Sequence, residues 1–155
     1  WLSKCVLDET YLFNANLSNI TGISASFFKI TAGNTNFENS NLMGTNFQNS
    51  QVQSCNFKWA ILSSADFSDS NLMGSNFEEC RMNYIKLNNA VLYDTILNNA
   101  ILEDADLTNA QLDISQLSKV KSLKNAIMMD GSRYNEKWAE WIADAQEPEP
   151  EDKFV

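Results

Sequence analysis

The chain has 155 residues, of which 44% are hydrophobic, and its formal charge at pH 7 is −9. This length suits one domain, and the apolar content is sufficient for a packed core, which excludes wholesale disorder. The acidic balance argues against nucleic acid as a partner, because affinity for phosphate backbones comes from clustered Lys and Arg.

The residue types that most catalytic and metal sites need are missing or isolated. The sequence contains no histidine, which removes the commonest general base and the commonest metal ligand. It contains no glycine-rich phosphate loop, nucleophile motif or metal-ligand cluster. Carboxylate pairs such as Glu78-Glu79 lack a basic partner to orient them and are interpreted as solvated surface. We therefore predict no catalytic residue, no cofactor and no metal site, and an enzyme is not expected.

The beginning of the sequence and its hydropathy bear on targeting. The chain begins at Trp1, already inside a pattern, and not at a methionine. We interpret it as a processed or trimmed product from which any targeting segment has been removed. No apolar run approaches the ~20 residues that a membrane helix needs. A transmembrane segment is therefore not predicted, and peripheral association stays open.

A five-residue period runs from Leu2 to Leu117 without a shift of phase. Of the 24 positions in this series, 22 are Leu, Phe, Met or Val, and only Gly22 and Ala32 depart from the rule. The position two residues before each of these is also regular, since 20 of 23 are Ala, Ser, Thr or Cys. A helix or an ordinary strand does not keep such residues on one side, but extended segments with a sharp bend every five residues do. The pattern predicts a solenoid with two inward residues in each segment.

Phenylalanine alternates with non-aromatic residues in the middle of this series, which adds a period of ten. If coils stack like residues on like, each coil has an even number of segments. The residues alone leave two sides and four sides open. If a coil has four sides, Gly22 and Ala32 fall in one coil, which we expect to be underfilled, with Ile20 and Ile30 partly compensating for the missing volume.

Blocks such as Ala65-Asp66-Phe67-Ser68-Asp69 resemble the A-(D/N)-L-x-x signature of the pentapeptide-repeat family. The resemblance covers roughly residues 2–117. It implies the family's all-β fold, a right-handed four-sided β-helix with one pentapeptide on each side. About six coils, each ~4.8 Å high, would form the rod. The resemblance then implies two aromatic stacks on opposite sides, Phe27, Phe47 and Phe67 on one, and Phe37, Phe57 and Phe77 on the other.

Two segments of different composition follow the repeats, which are predicted to occupy residues 1–117. Residues 118–146 begin with a stretch that resembles the terminal segment of cyanobacterial and plastid family members, and we expect a cap over the open end of the solenoid. Asn135 is placed to cap a short helix over residues 136–146. Its apolar face either packs on the solenoid or docks a partner. Residues 147–155 form an acidic Pro/Glu tail that cannot build a core.

The three cysteines are an odd number without metal-site spacing, so a disulfide framework is not implied. Cys5, Cys55 and Cys80 all fall in the small inward position of the repeat. A thiol there acts as a compact hydrophobic group. We therefore predict that all three cysteines are packed in the interior.

Outward aromatic and apolar residues are the best indication of a partner, because grouped ones mark interaction sites. They are most frequent between Tyr84 and Ile101 and in the predicted helix. We hypothesise docking through the C-terminal third, with the acidic tail adding salt-dependent attraction to a basic surface. The candidate partner-binding residues are Trp59, Tyr84, Tyr93, Ile101, Trp138 and Trp141.

The leading hypothesis is a non-catalytic scaffold, assembly or protein-binding subunit attached to a larger photosynthetic complex. The alternative is a DNA mimic that inhibits or protects a type II topoisomerase, as some family members do. Mimicry needs acids arrayed along the outside, but residues 1–117 carry 12 acids and 5 bases, and much of the exterior is neutral. The resemblance of the cap favours the thylakoid lumen of a plastid or cyanobacterium; otherwise a soluble periplasmic or cytoplasmic location is expected.

Overall fold

The structure is a computed structural model that describes residues 1–145. Residues twenty positions apart are joined by parallel bridges, from the pair Val6 and Ser26 to the pair Val91 and Gln111. Each side of a coil contributes a single bridging residue, so no strand has longer bounds. Because a turn follows every fifth residue, a coil of twenty residues has four sides. The right-handed sense and the count of about six coils stay predictions from the family resemblance.

The four sides are numbered here by their inward residues in the central coils. Side 1 carries Leu42, Leu62 and Met82; side 2 carries Phe27, Phe47 and Phe67; side 3 carries Val52, Leu72 and Leu92; side 4 carries Phe37, Phe57 and Phe77. In the described range 1–145, no helix is long and apolar enough to cross a membrane.

A tight turn of one kind closes the sides. The amide of its last residue donates to a carbonyl three positions earlier, as from Thr95 to Leu92 at 3.1 Å. The residue before the last has φ between 55° and 61° wherever it is not glycine. This combination is typical of a type II turn. Asn or Asp occupies 12 of these 21 positions, because their side chains tolerate the left-handed backbone better than most.

Two columns of parallel phenylalanine rings fill the middle of the solenoid. Ring centroids are 4.7 and 4.5 Å apart along side 2, and 4.8 and 4.9 Å apart along side 4. Rings of the two columns meet edge to face, with centroids 5.8 to 6.2 Å apart. All six rings are fully buried. Offset stacking and edge-to-face contacts are the geometries that aromatic pairs prefer, so both stabilise the rod.

The small inward residue holds the turn of the preceding coil. Ser75 Oγ donates to the Val52 carbonyl at 2.7 Å and accepts from the Cys55 amide at 3.0 Å. Cys80 occupies the same position in the next repeat, and its Sγ lies 2.8 Å from the Phe57 carbonyl oxygen. A small donor is therefore satisfied inside the core, which explains how Ser, Thr and Cys share this position with Ala.

The coil that contains Gly22 and Ala32 keeps its pairing, because Thr21 bridges Asn41 and Thr31 bridges Gln51. A Cβ added to Gly22 would lie 3.1 Å from Leu42 Cδ2. The leucine of the next coil thus takes the volume that glycine leaves. The underfilling expected from the sequence is absent at Gly22 for this reason.

The three cysteines differ in burial. Cys55 and Cys80 are buried, whereas Cys5 is exposed. The prediction of interior packing is therefore wrong for Cys5. It lies in the first coil, and within residues 1–145 no coil covers that end. Leu7 and Leu12 are only partly buried for the same reason.

Burial raises the pKa of Cys55 and of Cys80 from 9.0 to about 12. The raised pKa values contribute fully to the free energy of unfolding below pH 9.0. This contribution is lost as the pH rises towards 12. We expect the free energy of unfolding in urea to fall above pH 9, and to fall less steeply for the variant Cys55→Ser/Cys80→Ser. Cys5→Ser is the control and should follow the wild type. Parallel curves for all three proteins would contradict this prediction.

The regular repeat ends at a 3-10 helix, Ile114–Lys119. Position 114 is the turn position that has positive φ in the repeats before it, and a β-branched residue is unfavourable there. The Gln116 side chain instead donates to the carbonyls of Leu92 and Thr95 at 2.8 and 3.0 Å. The boundary predicted after residue 117 falls inside this helix.

Parallel pairing continues after the 3-10 helix with one additional residue. Ile101 bridges Ser122 and Asp106 bridges Ile127, so the spacing changes from 20 to 21. The segment 118–131 is therefore partly a further coil and not only a cap.

The α-helix α1, Glu136–Asp144, covers the end of the solenoid and packs against the 3-10 helix. Asn135 caps it as predicted, since its Oδ1 accepts from the Trp138 amide at 3.2 Å. Trp138 and Ile142 are buried, and Trp138 Nε1 donates to Ser132 Oγ at 2.9 Å. Of the two alternatives for the apolar face of this helix, Trp138 and Ile142 therefore pack on the end of the solenoid. Residue 146, the predicted end of the helix, and the tail 147–155 lie outside the described residues.

Candidate protein-docking face

Two large aromatic residues occupy turn positions with a left-handed backbone. Trp59 has φ 61° and Tyr84 has φ 58°. For residues with a bulky side chain this conformation costs about 1–2 kcal/mol, because the Cβ approaches the following carbonyl. Both side chains are nevertheless exposed, by 47% and 62%. The left-handed turn recurs along the solenoid, so the exposed aromatic ring is what distinguishes these two positions.

Trp59 and Tyr84 lie on the two borders of side 1. Between them, Ile61, Arg81 and Ile101 point outward from side 1 in consecutive coils. Two adjoining hollows share Arg81 and Ile101, one beside Trp59 and the other beside Tyr84. We call this surface the side-1 groove, defined by Trp59, Ile61, Arg81, Tyr84, Ile101 and Lys121.

The groove continues to the helical cap. Lys121 also lines a third hollow, together with Lys124, Tyr134 and Glu136 at the start of α1. The groove thus passes from the central coils to the capped end, and its charged residues are mainly basic there.

The Trp59 ring has a defined neighbour. Lys58 Nζ lies 4.6 Å from the ring centroid and 2.7 Å from a carboxylate oxygen of Glu78. The hydrogen bond to Glu78 raises the pKa of Lys58. This ammonium therefore stays charged over the neutral range and favours one orientation of the ring through a cation–π contact.

Other outward residues of the predicted stretch from Tyr84 to Ile101 lie elsewhere. Tyr93 is on side 3 and Ile96 on side 4, so the stretch from Tyr84 to Ile101 does not form one patch. Residues five apart lie on successive sides, and only residues about twenty apart are neighbours. Proximity in the sequence therefore joined residues of different sides, although Tyr84 and Ile101 themselves line one hollow of the side-1 groove. Sorting outward residues into columns of period twenty places Arg81, which is not among the residues predicted from the sequence, between Ile61 and Ile101.

The two tryptophans of α1 differ in accessibility. Trp138 is buried and has a structural position, whereas Trp141 is 41% exposed. The rings meet edge to face with centroids 5.1 Å apart, and Lys137 Nζ lies 4.4 Å from the Trp141 centroid. Trp141 alone of this pair is available to a partner.

Side 2 carries a polar hollow of a different kind. It is lined by Asp66, Ser68, Lys86 and Asn88 with several further polar residues. Asp66 pairs with Lys86 at 3.3 Å, and Ser68 donates to Asn88 at 2.8 Å. These groups satisfy one another. Within the described range 1–145, no set of Cys, Asp or Glu side chains is arranged to hold a metal ion.

The family model for pentapeptide repeats matches in 8 copies, over residues 23–58, 53–83 and 85–121. The chain belongs to the pentapeptide-repeat family. No curated protein sequence matches this pentapeptide-repeat chain significantly.

The solved structure of QnrB1 shares the fold of this chain. Full-length QnrB1, a plasmid-mediated fluoroquinolone resistance protein, is 14% identical with a TM-score of 0.64, and the match covers 92% of this chain and 90% of QnrB1. A pentapeptide repeat protein from the Arabidopsis thaliana thylakoid lumen is 22% identical with a TM-score of 0.48, covering 88% of this chain and 86% of that protein. At such identities the QnrB1 similarity shows the fold alone.

Proposed function

We propose that the chain is a non-catalytic protein-binding subunit that docks through the side-1 groove. The observation that carries this proposal is the pair of exposed aromatic residues, Trp59 and Tyr84, held in left-handed turns on both borders of the groove. Aromatic residues and arginine supply most of the energy of protein interfaces, and Arg81 lies between the two rings. A rigid solenoid presents these side chains with little loss of conformational freedom on binding.

A larger photosynthetic complex in the thylakoid lumen is the proposed setting. Its support is the resemblance of residues 118–131 to the terminal segment of cyanobacterial and plastid family members. Trp141, exposed at the capped end, is proposed as a second contact. The alternative, inhibition or protection of a type II topoisomerase by DNA mimicry, is tested in the same experiment.

The test replaces both aromatic residues of the groove by asparagine, in the variant Trp59→Asn/Tyr84→Asn. Asparagine tolerates the left-handed backbone, so the free energy of unfolding in urea should stay the same or rise by about 1 kcal/mol. Binding of the native partner, identified by mass spectrometry of the co-purified complex, should weaken at least about 30-fold, because one anchor residue contributes about 2 kcal/mol.

Tyr93→Asn is the matched control, because it removes an exposed aromatic residue from side 3. It should bind the partner as the wild type does. Undiminished binding by the groove variant would overturn the proposed function. Inhibition of DNA gyrase by the wild type would support the topoisomerase alternative instead.

A further inference from the structure

In the part of the chain that the structure describes, three lysines of the coils are ion-paired, whereas Arg81 and the lysines that follow the regular repeat are not. Within residues 1–145 the ion pairs are Lys29–Glu9, Lys58–Glu78 and Lys86–Asp66, each between adjacent coils. In the same part of the chain, Arg81, Lys119, Lys121 and Lys124 have no carboxylate oxygen within 4.0 Å. Three of these cations, Arg81, Lys121 and Lys124, line the groove and its continuation to α1.

These cations are unusual in so acidic a chain. Residues 119–137 contain 5 of the 11 Lys and Arg residues and 2 of the 20 acids, although the chain carries −9 overall. Arg81 and Lys121 line the same hollow as Trp59, and Lys121 and Lys124 line the hollow beside α1. Positive charge and an exposed aromatic ring thus occur on one continuous surface.

We propose that the side-1 groove binds an extended acidic segment of the partner protein. Carboxylates of that segment pair with Arg81, Lys121 and Lys124, and an apolar side chain packs between Trp59 and Ile101. This inference rests on the proposed docking function and adds the chemistry of the partner. Arginine forms planar two-point hydrogen bonds with carboxylates, which would fix the register of the segment.

The dimensions of the solenoid determine how far apart the carboxylates of the bound segment should lie. Arg81 and Lys121 are about two coils apart, which is roughly 10 Å at ~4.8 Å for each coil. A polyproline II segment has three residues in each turn and rises ~3.1 Å for each residue, so carboxylates three positions apart lie on one face of it and match the two bases. The groove therefore favours segments with the pattern acid-x-x-acid.

An acidic peptide suits this surface better than nucleic acid does. Glu79 lines the hollow beside Trp59, and Glu103 lines the hollow beside Tyr84. A phosphate backbone carries a charge at every step and would be repelled by these carboxylates and by the chain as a whole. A peptide with only two or three carboxylates can place them against the basic residues and away from Glu79 and Glu103.

The experiment uses a fluorescent peptide with two glutamates three positions apart and one tryptophan between them. Its affinity for the full chain is measured by fluorescence polarisation at roughly 20 mM and roughly 300 mM salt, where the Debye length differs several-fold. We expect binding that weakens at least about tenfold at high salt and about tenfold or more in Arg81→Glu/Lys121→Glu. The control Lys4→Glu/Lys29→Glu has the same change in net charge away from the groove and should bind as the wild type does.

Three results would overturn the inference. The first is equal binding by the groove variant and its control. The second is binding that occurs only after deletion of residues 147–155, which would make the chain's own acidic tail the occupant. The third is equal affinity for single-stranded DNA. If Trp59→Asn/Tyr84→Asn abolishes binding of the native partner while Arg81→Glu/Lys121→Glu does not, the docking function stands and the acidic segment is excluded.

Discussion

Replacement of Phe57 by alanine is expected to lower the free energy of unfolding by about 3–5 kcal/mol, as other buried aromatic truncations do. Phe57 stacks between Phe37 and Phe77 at 4.8 and 4.9 Å and meets Phe47 and Phe67 edge to face. The backbone on either side is fixed by hydrogen bonds to the coils above and below. The cavity therefore cannot close by local movement, and the loss should fall in the upper part of the usual range.

The control for this prediction is Cys80→Ser, in the fifth repeat after that of Phe57. Cys80 is also fully buried, but its Sγ lies against the Phe57 carbonyl as Ser75 Oγ lies against the Val52 carbonyl. Serine should therefore keep the contact, and the loss should stay below about 1 kcal/mol. Urea unfolding of both variants measures which of them loses more unfolding free energy. A larger loss for Cys80→Ser than for Phe57→Ala would contradict the assignment of the phenylalanine columns as the main core.

The sequence was sufficient for the inward residues of the solenoid because the five-residue phase is unbroken up to Leu117. The period of ten predicted only that each coil has an even number of sides. The number four was predicted from the family resemblance. The end of the regular coils was predictable in principle. Ile114 is the first β-branched residue at the left-handed turn position, and this local conflict explains the 3-10 helix.

The candidate site was only partly predictable. Trp59, Tyr84 and Ile101 were selected because exposed apolar residues are informative on an otherwise polar wall. Arg81 was missed because a charged residue in an outward position is normally solvated surface. Its importance depends on the neighbours in the coils before and after it and on the absence of an ion-pair partner within residues 1–145. The exposure of Cys5 was missed because the repeat pattern does not show which coil is uncovered.

The replacement of Trp138 by alanine is expected to unfold the cap. Trp138 is 5% exposed, donates to Ser132 Oγ and packs edge to face against Trp141. Its truncation should lower the stability of α1 and the adjoining 3-10 helix by about 3–5 kcal/mol. Because each coil of a solenoid contacts only its neighbours, the cap should unfold before the central coils. Hydrogen exchange should show rapid exchange of the amides in residues 136–144 and retained protection around Phe57.

Trp141→Ala is the matched variant, since it removes an indole from the same helix at a position that is 41% exposed. Its unfolding free energy should fall by clearly less than that of Trp138→Ala, because Trp141 is 41% exposed whereas Trp138 is 5% exposed. If α1 contributes to docking, Trp141→Ala should nevertheless weaken partner binding at every salt concentration, since burial of an aromatic ring is little screened by ions. Unchanged binding together with unchanged stability would exclude Trp141 from the interface and limit docking to the side-1 groove. Rapid exchange of α1 in Trp141→Ala, as strong as that in Trp138→Ala, would instead contradict the division of the two tryptophans into one packing residue and one surface residue.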